Sequence, residues 1–167
     1  MCKFREVSEK DFQEISNLIK SEDELFLVYP KGEYPLTVDQ VKDISESRIE
    51  LTVAVNKGKI IGFANLYNYE PSAVAFIGNV IIDSNYRGRG VGRKIIKHML
   101  IQARDKYSLP EVRISVFSDN VVALLLYSDF GFIPYSIEER SDPKGRRAAL
   151  IHLKKPLEIT KSNTYEP

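Results

Sequence analysis

Apolar and polar positions change period several times along the chain, and each change marks an element. Residues 3–7 alternate, as a short strand does. Ser8-x-x-Asp11 has the form of a capping box, and Phe12, Ile15, Leu18 and Ile19 then recur at helical steps. Residues 21–36 show no period, and Pro30, Gly32 and Pro35 mark them as irregular. Thr37-x-x-Gln40 caps a second predicted helix, with Val38, Val41 and Ile44 facing inward. Residues 51–56 and 60–69 read as strands joined by a turn at Asn56-Lys57-Gly58-Lys59. Glu70-Pro71-Ser72 turns the chain into a third strand, 73–82, ending in the β-branched run Val80-Ile81-Ile82.

Further on, Val91, Ile95 and Met99, with Ile96, Leu100, Ala103 and Tyr107, predict a long helix with two buried stripes. Leu109-Pro110 breaks it. Residues 111–117 form a strand with Val112, Ile114 and Val116 on one face, parallel to 73–82 because a helix connects the two. A helix over 120–130 closes at Gly131, and residues 132–140 and 147–154 pair as a last hairpin around Ser-Asp-Pro-Lys-Gly-Arg. Pro156 ends the last strand, and residues 156–167 are expected to form a loose tail. The pattern is α+β: a mixed, mostly antiparallel sheet with one parallel pair at its centre, flanked by helices, in one domain over residues 3–155.

Between the third strand and the long helix lies Arg87-Gly88-Arg89-Gly90-Val91-Gly92-Arg93. A strand, a glycine turn and a helix start form an anion site. The first helical N–H groups lack internal partners, the dipole adds positive potential, and glycines let a phosphate approach the backbone. Three arginines can add bidentate hydrogen bonds. The inferred ligand is a pyrophosphate. A P-loop would end in Gly-Lys-Ser/Thr, and a dinucleotide fold would show G-x-G-x-x-G on an early strand; this loop shows neither.

Composition narrows the partners. The chain has 167 residues, 43% hydrophobic and 28% charged, and a net charge of +1, so no global field favours nucleic acid or an anionic membrane. One cysteine, Cys2, permits no internal disulfide and fits a reducing, cytoplasmic setting. No apolar run is long enough to span a bilayer, and no signal-peptide core is seen. With two histidines and one cysteine, a metal site or a Cys-His nucleophile is not expected.

Arg87-x-x-Gly90-x-Gly92 resembles the acetyl-CoA signature of the GNAT N-acetyltransferase family, Arg/Gln-x-x-Gly-x-Gly/Ala. A second stretch, Asn120-x-x-Ala123-x-x-x-Tyr127-x-x-x-Gly131-Phe132, is similar to the family's other signature. Positions 120, 123 and 127 share one helix face. The resemblance covers residues 3–155 and implies a bacterial-type single-domain member. Its two central parallel strands would splay to hold the pantetheine arm. It implies acetyl-CoA as co-substrate, held by Val80, Ile81, Ile82, Arg87, Gly88, Arg89, Gly90, Val91, Gly92, Arg93, Asn120, Ala123 and Tyr127. Asn120 would bond the pantetheine amides, Ala123 would let the arm pass, and a backbone N–H at 80–82 would bind the oxyanion. Tyr127 would protonate the departing thiolate, since a phenol with pKa ~10 is protonated at neutral pH.

The general base is not evident. Some family members carry a glutamate on the strand before the loop, whereas residues 73–82 here carry no carboxylate. Asn79 and Ser115 are therefore the candidates for a relay through ordered water. His98 and His152 are expected to be structural. Acceptor specificity is expected from loops. Phe26, Tyr29 and Tyr34, with Glu22, Asp23, Glu24 and Glu33, suit a cationic amine, and Arg146 and Arg147 suit a substrate carboxylate. The expected partner is a small-molecule or peptide amine: an amino acid, a lysine-containing peptide or a polyamine. The expected state is monomer or homodimer. The alternative is a CoA-binding sensor without catalysis.

Overall fold

The computed structural model describes residues 2–159. Seven strands, β1 (Lys3–Glu6), β2 (Ile49–Asn56), β3 (Lys59–Glu70), β4 (Val74–Ile82), β5 (Glu111–Phe117), β6 (Ile133–Ser141) and β7 (Arg147–Pro156), form one sheet in the order β1-β2-β3-β4-β5-β7-β6. Every neighbouring pair is antiparallel except β4 with β5. The α-helices of the described residues are α1 (Phe12–Ser16), α2 (Glu22–Val28), α3 (Val38–Ser47), α4 (Val91–Asp105) and α5 (Val121–Asp129).

Each sheet face carries its own core. On one, Ile95, Ile96, Met99 and Ala103 of α4 pack on Ala64, Leu66, Ile77 and Ile114. On the other, Ile15, Leu25, Val41 and Ile44 from α1–α3 cover Val53, Ile60, Phe63 and Ile81. The helical and strand periods in the sequence feed these two layers directly.

The N-terminal capping box forms as expected: Ser8 N–H donates to Asp11 Oδ2 at 2.8 Å. The same carboxylate takes two bonds from Arg5, at 2.7 and 2.9 Å. Segment 21–36 departs from expectation. Residues 22–28 are α2, capped by Ser21, whose Oγ accepts from Glu24 N–H at 3.1 Å. Glu22, Asp23 and Glu24 in its first turn complement the helix dipole. The Ser21-x-x-Glu24 pattern was the local signal. It is masked because Leu25, Phe26, Leu27 and Val28 run together without helical spacing. Val38, expected to face inward, is exposed, while Val41 and Ile44 are buried. At the C-terminus Leu157 packs on the core and donates its N–H to Pro110 O at 2.8 Å. Of the tail expected over residues 156–167, residues 160–167 lie outside the described residues.

Asp11 is held at a pKa of about 2, chiefly by the Arg5 hydrogen bonds. A carboxyl with a depressed folded-state pKa contributes stability above its unfolded value, and that stability is lost as pH falls from about 4 towards 2. Asp11→Asn is expected to cost ~1–2 kcal/mol at pH 7 and to flatten the dependence of the urea midpoint on pH in that window.

Candidate active site

β4 and β5 pair only from Val74/Glu111 to Ile77/Ile114. Beyond that point β5 stays with β7, through Ser115, Val116 and Phe117, while β4 stays with β3, through Ile81 and Ile82. The parallel strands therefore part, as the family resemblance implied. A β-bulge drives the parting. Phe63 faces Ile81 and Asn65 faces Gly78, so β4 carries one extra residue there. Asn79 sits in the bulge with φ 47, a conformation asparagine tolerates better than most residues. The extra residue also switches faces: Ala75 and Ile77 belong to the α4-side core, whereas Ile81 belongs to the other.

The bulge is anchored. Asn79 Oδ1 accepts from Asn65 Nδ2 at 2.8 Å, and Asn79 Nδ2 donates to Val28 O at 2.8 Å, tying β4 to α2. Asn79 thus shapes the cleft, with one bond made at each end of its amide. Above it, Asp83 N–H donates to Ile61 O, whereas Ile82 O accepts from Arg87 Nε at 3.1 Å. By strand alternation the polar groups of Ile82 and Val80 point away from β3, into the opening between the strands.

Along the cleft runs a cavity of about 1240 Å³. Its floor at one end is the glycine loop. Gly88 and Gly90 have φ of +71° and +79°, and Gly90 is the N-cap of α4. Lys94 N–H is the first to reach a helix carbonyl, that of Gly90, so the amides of Val91, Gly92 and Arg93 precede the ladder. Arg87 and Arg93 line the cavity and pair with Glu24 at 3.2 Å and Asp129 at 2.8 Å. Both pairs are solvent-exposed and therefore weak enough to exchange for a phosphate. Arg89 lies over the Tyr86 ring, off the cavity wall.

The opposite wall is α5. Asn120 caps it, Oδ1 accepting from Ala123 N–H at 3.4 Å. Gly131, at φ +85°, closes it in a Schellman turn: Phe132 N–H reaches Tyr127 O and Gly131 N–H reaches Ser128 O. Asn120, Ala123 and Tyr127 all line the cavity. Tyr127 is 5% exposed, its ring edge-on to Phe132 at 6.2 Å. Burial pushes its phenol well above the ordinary tyrosine value, so the group is a proton donor at neutral pH.

The remaining wall holds what the sequence did not assign. Ser115 Oγ lies 2.7 Å from His152 Nδ1, and His152 Nε2 lies 3.0 Å from Glu138 Oε2. Bonds from Arg140 and then His152 lower the Glu138 pKa, so its carboxylate only accepts. Nε2 therefore carries a proton, and in the neutral imidazole Nδ1 accepts from the Ser115 hydroxyl. His152 was expected to be structural, yet it and Ser115 both reach the cavity. They are cross-strand partners on β5 and β7, a register that strand periodicity alone does not reveal. His98, by contrast, does stack on Phe4, at 4.6 Å, outside the cleft.

Of the expected acceptor residues, Tyr29 lines the cavity. Phe26 stacks on Phe117 at 4.4 Å, and with Tyr34 it borders a separate space of about 460 Å³. Arg146 and Arg147 also stand apart, tied to Asp142 and Glu139. Of the acidic group, only Glu24 reaches the cavity, and it is bound to Arg87. Arg48, which the sequence reading passed over, is on the cavity wall.

A parted parallel strand pair, a glycine loop opening a helix and a capped helix facing it define a class of acyl-CoA-binding folds. The acetyltransferase (GNAT) family model matches residues 12–132, and the chain belongs to that family. It is 29% identical over 83 residues to the spermine/spermidine N(1)-acetyltransferase of Bacillus subtilis, covering 46% of this chain and 54% of that one. It is 30% identical over 96 residues to the [ribosomal protein bS18]-alanine N-acetyltransferase of Escherichia coli, covering 56% and 63%. These matches span little more than half the length of those relatives. The fold also superposes on Salmonella typhimurium yncA, solved with its cofactor acetyl-CoA. That match has a TM-score of 0.77 and 16% identity, and covers 94% of each chain. Among the described residues, no helix is long and apolar enough to cross a membrane, and no group of His, Cys, Asp or Glu could hold a metal ion.

Asn79→Ala removes both bulge anchors and places alanine at positive φ, with an expected cost of about 2–4 kcal/mol in denaturant titration. Asn79→Gly keeps the backbone accessible and should recover part of that loss. Equal destabilisation by the two would assign the whole effect to the hydrogen bonds.

Proposed function

We propose that the protein is an N-acetyltransferase moving the acetyl group of acetyl-CoA to a primary amine by direct attack. One observation carries this reading: the anion-ready loop and the protonated Tyr127 phenol stand on two walls of one cleft, opened by a break in the sheet. Membership of the GNAT family supports it, as do relatives named for a polyamine and an alanine acceptor.

In this reading the pyrophosphate sits on the amides of Val91, Gly92 and Arg93, with Arg87 and Arg93 released from their carboxylates to grip it. The β4 edge at Val80 and Ile82 and the Asn120 amide align the pantetheine arm. Acetyl-CoA supplies an electrophilic thioester carbonyl and a thiolate leaving group. A backbone N–H on that edge stabilises the oxyanion, Val80 N–H being the nearer to the bulge. The amine nitrogen forms the new C–N bond, and the C–S bond breaks. Tyr127 gives its proton to sulfur.

The amine must also lose a proton, because a lysine-type amine has a pKa of ~10.4. Ser115 receives that proton, directly or through one water, while passing its own to His152 Nδ1. Glu138 stabilises the resulting imidazolium. Imidazole suits such a step near neutral pH. This replaces the missing carboxylate on β4, and Asn79 becomes a positioning residue.

Release of CoA thiol with a panel of primary amines tests the activity. Wild-type protein inactive with every amine, yet stabilised against heat by acetyl-CoA, would point to a sensor instead. Tyr127→Phe is expected to lower kcat about 100-fold while the acetyl-CoA Kd stays within about twofold. His152→Ala is expected to lower kcat/KM about 100-fold. Added imidazole should restore part of it, an outcome that a merely structural histidine would not give.

A further inference from the structure

The acceptor end of the cleft contains a cation without a counter-charge. Arg48, at the C-terminal end of α3, lays its guanidinium over the Tyr67 ring, 4.3 Å from the centroid. Its Nη1 donates to Asn65 Oδ1 at 3.0 Å. Among the described residues no carboxylate pairs with it, and burial lowers its pKa from the ordinary arginine value. A partly desolvated, unpaired guanidinium is costly unless a ligand supplies the anion.

The backbone makes room for it. A Cβ on Gly78 would stand 2.3 Å from Arg48 Nη1 and 2.6 Å from Tyr67 Cδ1. Gly78 is the last residue before the bulge, where β4 leaves β5. The arginine is therefore held against the strand at the mouth of the split.

The charges around it point the same way. Only two carboxylates, Glu24 and Asp129, line the cavity among the described residues, and both are paired with loop arginines. Lys31 and Arg140 also line the cavity, Arg140 being offset by Glu138. A polycation entering here meets three basic side chains and no free acid, although a polyamine enzyme is among the relatives.

We propose that Arg48, seated against Gly78, is a carboxylate subsite, so that the acceptor is an amine carrying a carboxylate, as an amino acid does, and not a polyamine. This rests on the N-acetyltransferase reading for the role of the amine, though not for the anion site itself. The planar guanidinium suits bidentate pairing with a carboxylate.

Two measurements separate the two ideas. The first compares kcat/KM for amino acids against the amines left by their decarboxylation, with spermine and spermidine alongside. The expected result is at least a tenfold advantage for the carboxylate-bearing member of each pair; equal or better turnover of the bare amines or of spermine overturns the subsite and leaves acetyl transfer standing. The second is calorimetric binding of N-acetyl amino acids and N-acetyl amines to the CoA-saturated protein, which needs no turnover. Arg48→Gln should weaken the acid at least tenfold and leave the neutral ligand within twofold. Gly78→Ala, which keeps the charge but displaces it, should act in the same direction. Arg48-dependent binding without any turnover would support the subsite and sink the transferase reading. Acid binding that is absent, or unchanged in both variants, would overturn the subsite.

Discussion

Parallel strands gain their stability from continuous pairing, so a sheet does not part at its centre without a cause. Here the cause is one surplus residue in β4. Past the bulge at Asn79 the strand keeps its ladder with β3 and turns an edge without a β5 partner toward the cleft, where Ile82 O takes its bond from Arg87. An unpaired edge inside a protein is expensive unless something supplies the missing partners. In the proposed reaction an amide-bearing, extended ligand, the pantetheine arm of acetyl-CoA, would supply those partners. Asn79 itself is fixed by Asn65 on one side and Val28 on the other, so the same polar cluster that bends β4 also seats α2 and, through Asn65, Arg48.

Electrostatics divides the cavity into two ends. At the loop, arginines are held by exposed carboxylates in pairs that solvent keeps weak. In the proposed binding mode such pairs would yield to the pyrophosphate. At the acceptor end the positive charge of Arg48 has no such placeholder and lies partly out of water. The difference is one of exposure: an uncompensated cation is tolerable at a surface and informative inside a cleft.

Much of this could be read from the chain. Strand and helix periods gave both core layers, and the spacing of Asn120, Ala123 and Tyr127 put three side chains on one wall of the cavity. The loop glycines were legible because positive φ restricts residue choice so strongly. What escaped depends on register or on proximity without local pattern. His152 and Ser115 meet because β5 and β7 are neighbours in a particular alignment. Arg48 enters the site because Gly78, thirty residues away, lacks a side chain. Phe26 and Tyr34 looked like an acceptor wall because segment 21–36 lacked a period, yet the helix hidden in it turns Phe26 onto Phe117.

The proton inventory of the proposed reaction explains why acid and base occupy different walls. Amide formation removes a proton from nitrogen and places one on sulfur, so the two events need groups of opposite readiness. Burial keeps the Tyr127 phenol protonated, and a carboxylate that can only accept selects, for a neutral His152, the tautomer whose Nδ1 accepts. Because the strands between them have separated, the reacting carbonyl can lie between phenol and serine with neither group having to move across the sheet. In the proposed reaction the bulge that opens the edge for the coenzyme would thus leave the acid and base on opposite sides of the bond being exchanged.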